Sequence, residues 1–203
     1  MKTIALVLAA LGLSSSAFAL ESGISETGLS YNEVGIGYTS RSENSGDTPG
    51  TATGATIGAQ ALITKNIFGF GGYSIPSGTF GSLGNVDSTD YQAGLGLRTA
   101  VASNVDVNLT ATYLNSKSSF LGISGIHTGY ATGASIRALV APKLEANVGV
   151  TYYDTKNERF GTDSGTQYRI GTGYQFSDNI MGRAVYVTET GRNGYTVSVS
   201  YMF

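Results

Sequence analysis

The last nine residues of the chain, Tyr195 to Phe203, alternate without a break. Tyr195, Val197, Val199, Tyr201 and Phe203 fall on one face of an extended strand, and Thr196, Ser198, Ser200 and Met202 fall on the other. Successive strand side chains point to opposite faces, so this register makes one face wholly apolar, with aromatic residues at both ends. A face of that kind lies against lipid or against a protein core. The rest of the chain has to decide between the two.

The start of the chain fixes its route. Met1 to Ala19 reads as a secretory signal peptide: Lys2 is the basic lead, Ile4 to Leu13 the apolar core, and Ala17-Phe18-Ala19 the small-x-small cleavage site. That core is shorter than the roughly 20 residues a spanning helix needs. Residues 20–28 then read as a short periplasmic lead-in to a single domain over 29–203. The chain has no cysteine, which excludes disulfides and thiolate metal sites. Charged residues make up 13%, against about 25% in ordinary soluble domains. A net charge of −2 offers no basic surface for nucleic acid.

Between these ends the period-2 pattern recurs. Val34, Ile36 and Tyr38 oppose Glu33, Gly35 and Gly37 in a first strand expected over Leu29 to Thr39. Tyr91, Ala93, Leu95 and Leu97 oppose Asp90, Gln92, Gly94 and Arg98, and the pattern continues to Phe203. Tight turns are expected at Lys65-Asn66, Ser103-Asn104, Ala141-Pro142-Lys143 and Ser177-Asp178-Asn179. Five longer polar loops are expected between them, including 75–87, 115–125 and 154–165. The count is ten strands, or eight if two short ones merge. An even number of strands with short turns at one end and long loops at the other predicts a transmembrane antiparallel up-and-down β-barrel.

A soluble barrel would put the same Val, Leu and Tyr residues inside. Three features oppose it. The polar face is Gly, Ser, Thr and Asn rather than Lys and Glu; tyrosines gather at strand ends as an interfacial girdle does; and strand charges sit singly on the polar face. With these residues in view, the mature chain resembles the small Gly/Tyr-rich outer-membrane β-barrels of Gram-negative bacteria. Leu29-Ser30-Tyr31-Asn32 running to Gly35-Ile36-Gly37-Tyr38 is similar to their opening strand. The resemblance implies an integral outer-membrane location among lipid and lipopolysaccharide. It also implies that Tyr195, Val197, Val199, Tyr201 and Phe203 form the signal read by the barrel-assembly machinery.

The inner face is expected to carry Glu33, Asp90, Asp106 and Glu145 facing Arg98, Arg137, Arg169 and Arg183. Opposite charges in a narrow low-dielectric space pair, so this set is either a stiffening ion-pair network or the lining of a small-solute pore. At the other end, Phe120, Leu121 and Ile123 form an apolar loop patch that suits contact with an unidentified protein partner, or packing over the barrel mouth. Catalysis has little to stand on: His127 is the sole histidine, and no nucleophile is placed beside it. No cofactor or metal spacing appears; Asp154 to Asp163 is at most a weak Ca²⁺ loop, offset by Lys156 and Arg159. The expected function is an outer-membrane barrel with a narrow or closed lumen acting through its loops; the alternative is a passive pore.

Overall fold

A computed structural model of the chain describes residues 25–43, 49–80, 84–120, 123–157 and 161–203. Ten strands follow one another: β1 Glu33–Glu43, β2 Gly50–Thr64, β3 Ile67–Phe80, β4 Gly84–Ala102, β5 Val105–Phe120, β6 Ile123–Ala141, β7 Leu144–Asn157, β8 Gly161–Ser177, β9 Ile180–Glu189 and β10 Arg192–Met202. Each pairs antiparallel with its sequence neighbours, and β1 pairs with β10 to close the barrel. Closure matters because a strand edge facing hydrocarbon would leave N–H and C=O groups unbonded, at several kcal/mol each.

The four tight turns share one design. Each follows a register shift, at Leu62/Thr64, Ala100/Ala102, Leu139/Ala141 and Gln175/Ser177. Each turn also accepts a hydrogen bond from the next hairpin: Arg98 N to Asn66 O (2.8 Å), Leu139 N to Asn104 O (2.9 Å), Gln175 N to Lys143 O (2.9 Å) and Met202 N to Asn179 O (2.7 Å). Asn66, Asn104 and Asn179 add a bond from Nδ2 to the carbonyl of the same residue, at 2.8–3.0 Å. Lys143 takes the fourth place with a φ of 68°, a left-handed conformation that Asn tolerates better than Lys.

The barrel is inverted relative to a soluble one. Ile36 is 67% exposed and Leu95 57%, while Asp106 is fully buried and Glu145 is 1% exposed. A continuous exposed apolar band of this extent is not stable in water. It is bounded by outward tyrosines, at least one exposed on every strand except β2 and β3, from Tyr38 on β1 through Tyr91, Tyr113 and Tyr152 to Tyr195 on β10. Such a girdle sits where lipid tails meet head groups. The five alternating residues of the last strand lie on this outer face, each about half exposed. Leu95 lies within the band, so Leu95→Arg is expected to cost about 2–4 kcal/mol of stability in lipid vesicles, measured by urea titration. Ser164→Arg, beyond the girdle and opposite Asp154, is expected to stay within about 0.5 kcal/mol.

Two expectations need correction. The first strand begins at Glu33, not Leu29. The long loops are mostly strand: β3 runs on to Phe80, β5 to Phe120, β6 starts at Ile123 and β8 at Gly161. The Ser, Thr, Asn and Gly residues there mark where the wall leaves lipid for water, not where the chain turns. Cross-strand bonding continues through them, with Asp90 opposite Ser116 and Tyr153 opposite Gly165.

Candidate functional site

The lumen charges are paired by a repeated device. Arg98 stands eight residues before Asp106 across the β4–β5 turn, and Arg137 eight residues before Glu145 across the β6–β7 turn. The turns set each pair diagonally on the inner face. Arg98 Nε and Nη2 donate to Asp106 Oδ2 and Oδ1, both at 3.1 Å. Arg137 Nε and Nη2 donate to Glu145 Oε1 and Oε2, at 2.8 and 2.9 Å. Two parallel charge-assisted bonds fix orientation as well as attraction. Arg183 on β9 completes the layer by pairing with Glu33 on β1, and its Nη2 lies 3.6 Å from Glu145.

Into this layer the chain inserts its own lead-in. Residues 25–32 enter the turn end of the lumen, held by Ser25 N to Leu29 O (3.0 Å), Phe203 N to Asn32 O (3.1 Å) and Leu62 N to Asn32 Oδ1 (2.8 Å). Tyr31 is fully buried, with its ring between the guanidinium carbons of Arg98 (5.3 Å) and Arg137 (4.6 Å). Both cations draw on the quadrupole of the one ring, an attraction that strengthens with desolvation. The Tyr31 hydroxyl has one proton to give, to Asp106 Oδ2 at 3.0 Å or Asn108 Oδ1 at 2.9 Å. Burial pushes this hydroxyl, which precedes the first strand, up to about 12, so it stays a neutral donor at physiological pH. Arg137 Nη2 also donates to Ser30 O (3.2 Å), and Thr27 to Asp106 Oδ1 (3.1 Å). Leu29, Leu62, Phe68 and Tyr31 form the buried apolar cluster beneath.

Six of the eight expected lumen charges therefore meet in one layer around Tyr31. The other two lie apart. Asp90 sits toward the loop end, bonded to Arg41 (2.9 Å), Ser116 (2.6 Å) and Ser88 (2.9 Å). Arg169 faces the lumen from β8 and is exposed to solvent there.

Sequence reading also missed a loop-end cluster. Arg192 donates to Asp163 (2.9 Å), Tyr153 OH (3.3 Å) and Glu189 (3.4 Å), and Glu43 lies 3.5 Å away. The three-residue spacing of Glu189 and Arg192 across a turn was its one visible signal. Of the expected loop patch, Leu121 lies outside the described residues, and only the backbones of Phe120 and Ile123 are described, at the ends of β5 and β6. His127 stands opposite Ser116, whose hydroxyl is committed to Asp90. In that arrangement the histidine does not stand between nucleophile and acid, as it must in a triad.

No protein-family model and no curated protein sequence matches the chain. Solved structures do match. The translocator domain of the autotransporter NalP from Neisseria meningitidis aligns over 100% of this chain and 95% of its own, at TM-score 0.56 and 15% identity. An outer-membrane channel of Pseudomonas putida F1 aligns over 93% and 98%, at 0.53 and 11%. Neisserial surface protein A aligns over 84% and 96%, at 0.52 and 12%. The fold is that of an outer-membrane β-barrel. With the exposed apolar band around it, the barrel is built to sit in a membrane, with that band against lipid. The neighbours are a channel, a translocator domain and a surface protein; at these identities the likeness is one of architecture.

Proposed function

We propose that this barrel is a non-enzymatic structural and interaction protein of the outer membrane whose lumen is closed at the periplasmic end by its own lead-in. The observation that carries the reading is Tyr31, fully buried and held between two arginines that are each locked to a carboxylate. Opening that layer for solute would strand buried charges, a cost of several kcal/mol. Function then falls to the loop end, where β3 to β8 carry polar strand extensions beyond the tyrosine girdle into lipopolysaccharide and any protein partner. In the same reading, the last strand is presented to the assembly machinery while β1 is still unpaired, with Phe203 outermost.

The competing reading, a passive pore for small solutes, is favoured by the inward glycines Gly133, Gly149 and Gly171, which add no side chains of their own to the lumen. Single-channel recording of the folded full-length mature protein in planar bilayers separates the two. A closed barrel gives a silent membrane at every salt concentration. Reproducible conductance steps that scale with salt would replace it with the pore.

A further inference from the structure

Arg169 is the lumen arginine without a carboxylate. Arg41, Arg98, Arg137, Arg183 and Arg192 each have one within 4 Å; among the described residues Arg169 has none. It shares the inner face with Arg137, a second cation whose own carboxylate is engaged in two bonds. Its side chain is nevertheless exposed to solvent, although β8 places it on the inner face opposite Val187 and Gly149.

The wall beside it is shaped to leave that room. A Cβ on Gly149 would come 2.8 Å from Arg169 Nε and 2.9 Å from Ser135 Cβ, so the side chain lies across bare backbone toward Ser135. One step along the wall, a Cβ on Gly133 would meet Thr151 Oγ1 at 2.9 Å and Thr110 Oγ1 at 3.0 Å; one on Gly171 would meet the Asn147 amide at 2.9 Å. Hydroxyl and amide side chains thus lean over the glycines next to the one that the Arg169 side chain crosses. An unpaired guanidinium held at a partly enclosed wall favours a counter-anion, and its planar fork matches two oxygens of one oxyanion.

We infer that Arg169 is the centre of an oxyanion-binding site in the lumen, taking a carboxylate or phosphate group with the neighbouring hydroxyls and amide as supporting donors. The site does not depend on whether the lumen conducts, because it needs only solvent access from the loop end. It therefore stands or falls separately from the closed-barrel reading.

The test is binding of two probes, acetate and inorganic phosphate, to the full-length mature protein folded in zwitterionic lipid nanodiscs, followed by the Nε–Hε resonance of arginine in NMR titrations. The wild type is expected to show one arginine resonance shifting saturably, with affinity falling as NaCl rises. Arg169→Gln is expected to remove that resonance and weaken probe binding at least tenfold. Gly149→Ser is expected to weaken it several-fold by displacing the guanidinium while the barrel still folds. Arg41→Gln is expected to leave it unchanged. Acetate shifting the resonance more than phosphate assigns a carboxylate ligand, and the reverse a phosphate. Binding unchanged in Arg169→Gln, lost equally in Arg41→Gln, or not saturable in the wild type overturns the proposal.

Discussion

Arg137→Ala is expected to cost the folded barrel about 3–5 kcal/mol. The side chain does three things at once: it closes two bonds to Glu145, caps the Ser30 carbonyl and lies over the Tyr31 ring. Glu145 is 1% exposed, and a carboxylate left at that depth with its main partner removed carries most of the penalty. Arg183 lies 3.6 Å from Glu145, so part of the loss is recovered by a shift of that guanidinium, which then weakens its hold on Glu33. The double change Arg137→Met with Glu145→Met removes both charges at similar volume and is expected to recover more than half of the single-mutant loss. Arg98→Ala, which breaks two bonds to the buried Asp106 and one to the Lys65 carbonyl, is expected to cost a similar amount. The chain has no tryptophan, so the measurement is urea unfolding in lipid vesicles followed by far-ultraviolet circular dichroism. A single-mutant cost under about 1 kcal/mol would mean that water reaches Glu145 and that the layer is not sealed.

The barrel was legible in the sequence because lipid imposes the same period on every strand. Val197, Leu95 and Ile170 face hydrocarbon in an every-second-residue pattern that few residues break, so the four turns could be read directly and the strand count narrowed to ten or eight, of which the structure has ten. Strand length was not legible. Past Tyr91 or Tyr113 both faces meet water, the alternation loses its contrast, and residues such as Ser116, Ser118 and Thr128 look like loop although the ladder continues through them. The Arg98/Asp106 and Arg137/Glu145 pairs were readable as lumen charges, but not which partner each takes, because diagonal contacts depend on the bulge before each turn. The first strand was misjudged for a physical reason: Leu29-Ser30-Tyr31-Asn32 carries the same apolar–polar alternation as a strand. There the alternation serves a segment folded back into the lumen, with Leu29 and Tyr31 buried against Phe68. Nothing local distinguishes a face that meets lipid from one that meets a lumen packed by its own lead-in.

That lead-in supplies the second large effect. Deleting residues 25–31 while keeping Asn32, whose carbonyl and side chain hold Phe203 and Leu62, is expected to turn a silent protein into a conducting one. The wall keeps its register without the segment, since every strand pairing lies outside it. What changes is the space between Arg98 and Arg137: the Tyr31 ring, 5.3 and 4.6 Å from the two guanidinium carbons, is replaced by water. The arginines remain tethered to Asp106 and Glu145 at the wall, so they line the opening instead of crossing it. Four arginines (98, 137, 169 and 183) then face three carboxylates (Glu33, Asp106 and Glu145), a balance of +1. A weak preference for anions is therefore expected, seen as a shifted reversal potential under a KCl gradient. Tyr31→Ala is expected to give smaller, flickering steps, because Leu29 and Ser30 still occupy part of the passage. Slower migration on heating, in gel electrophoresis, confirms that each variant has folded. A folded deletion variant that stays silent would place the barrier in the arginine–carboxylate layer itself, with the lead-in as packing around it.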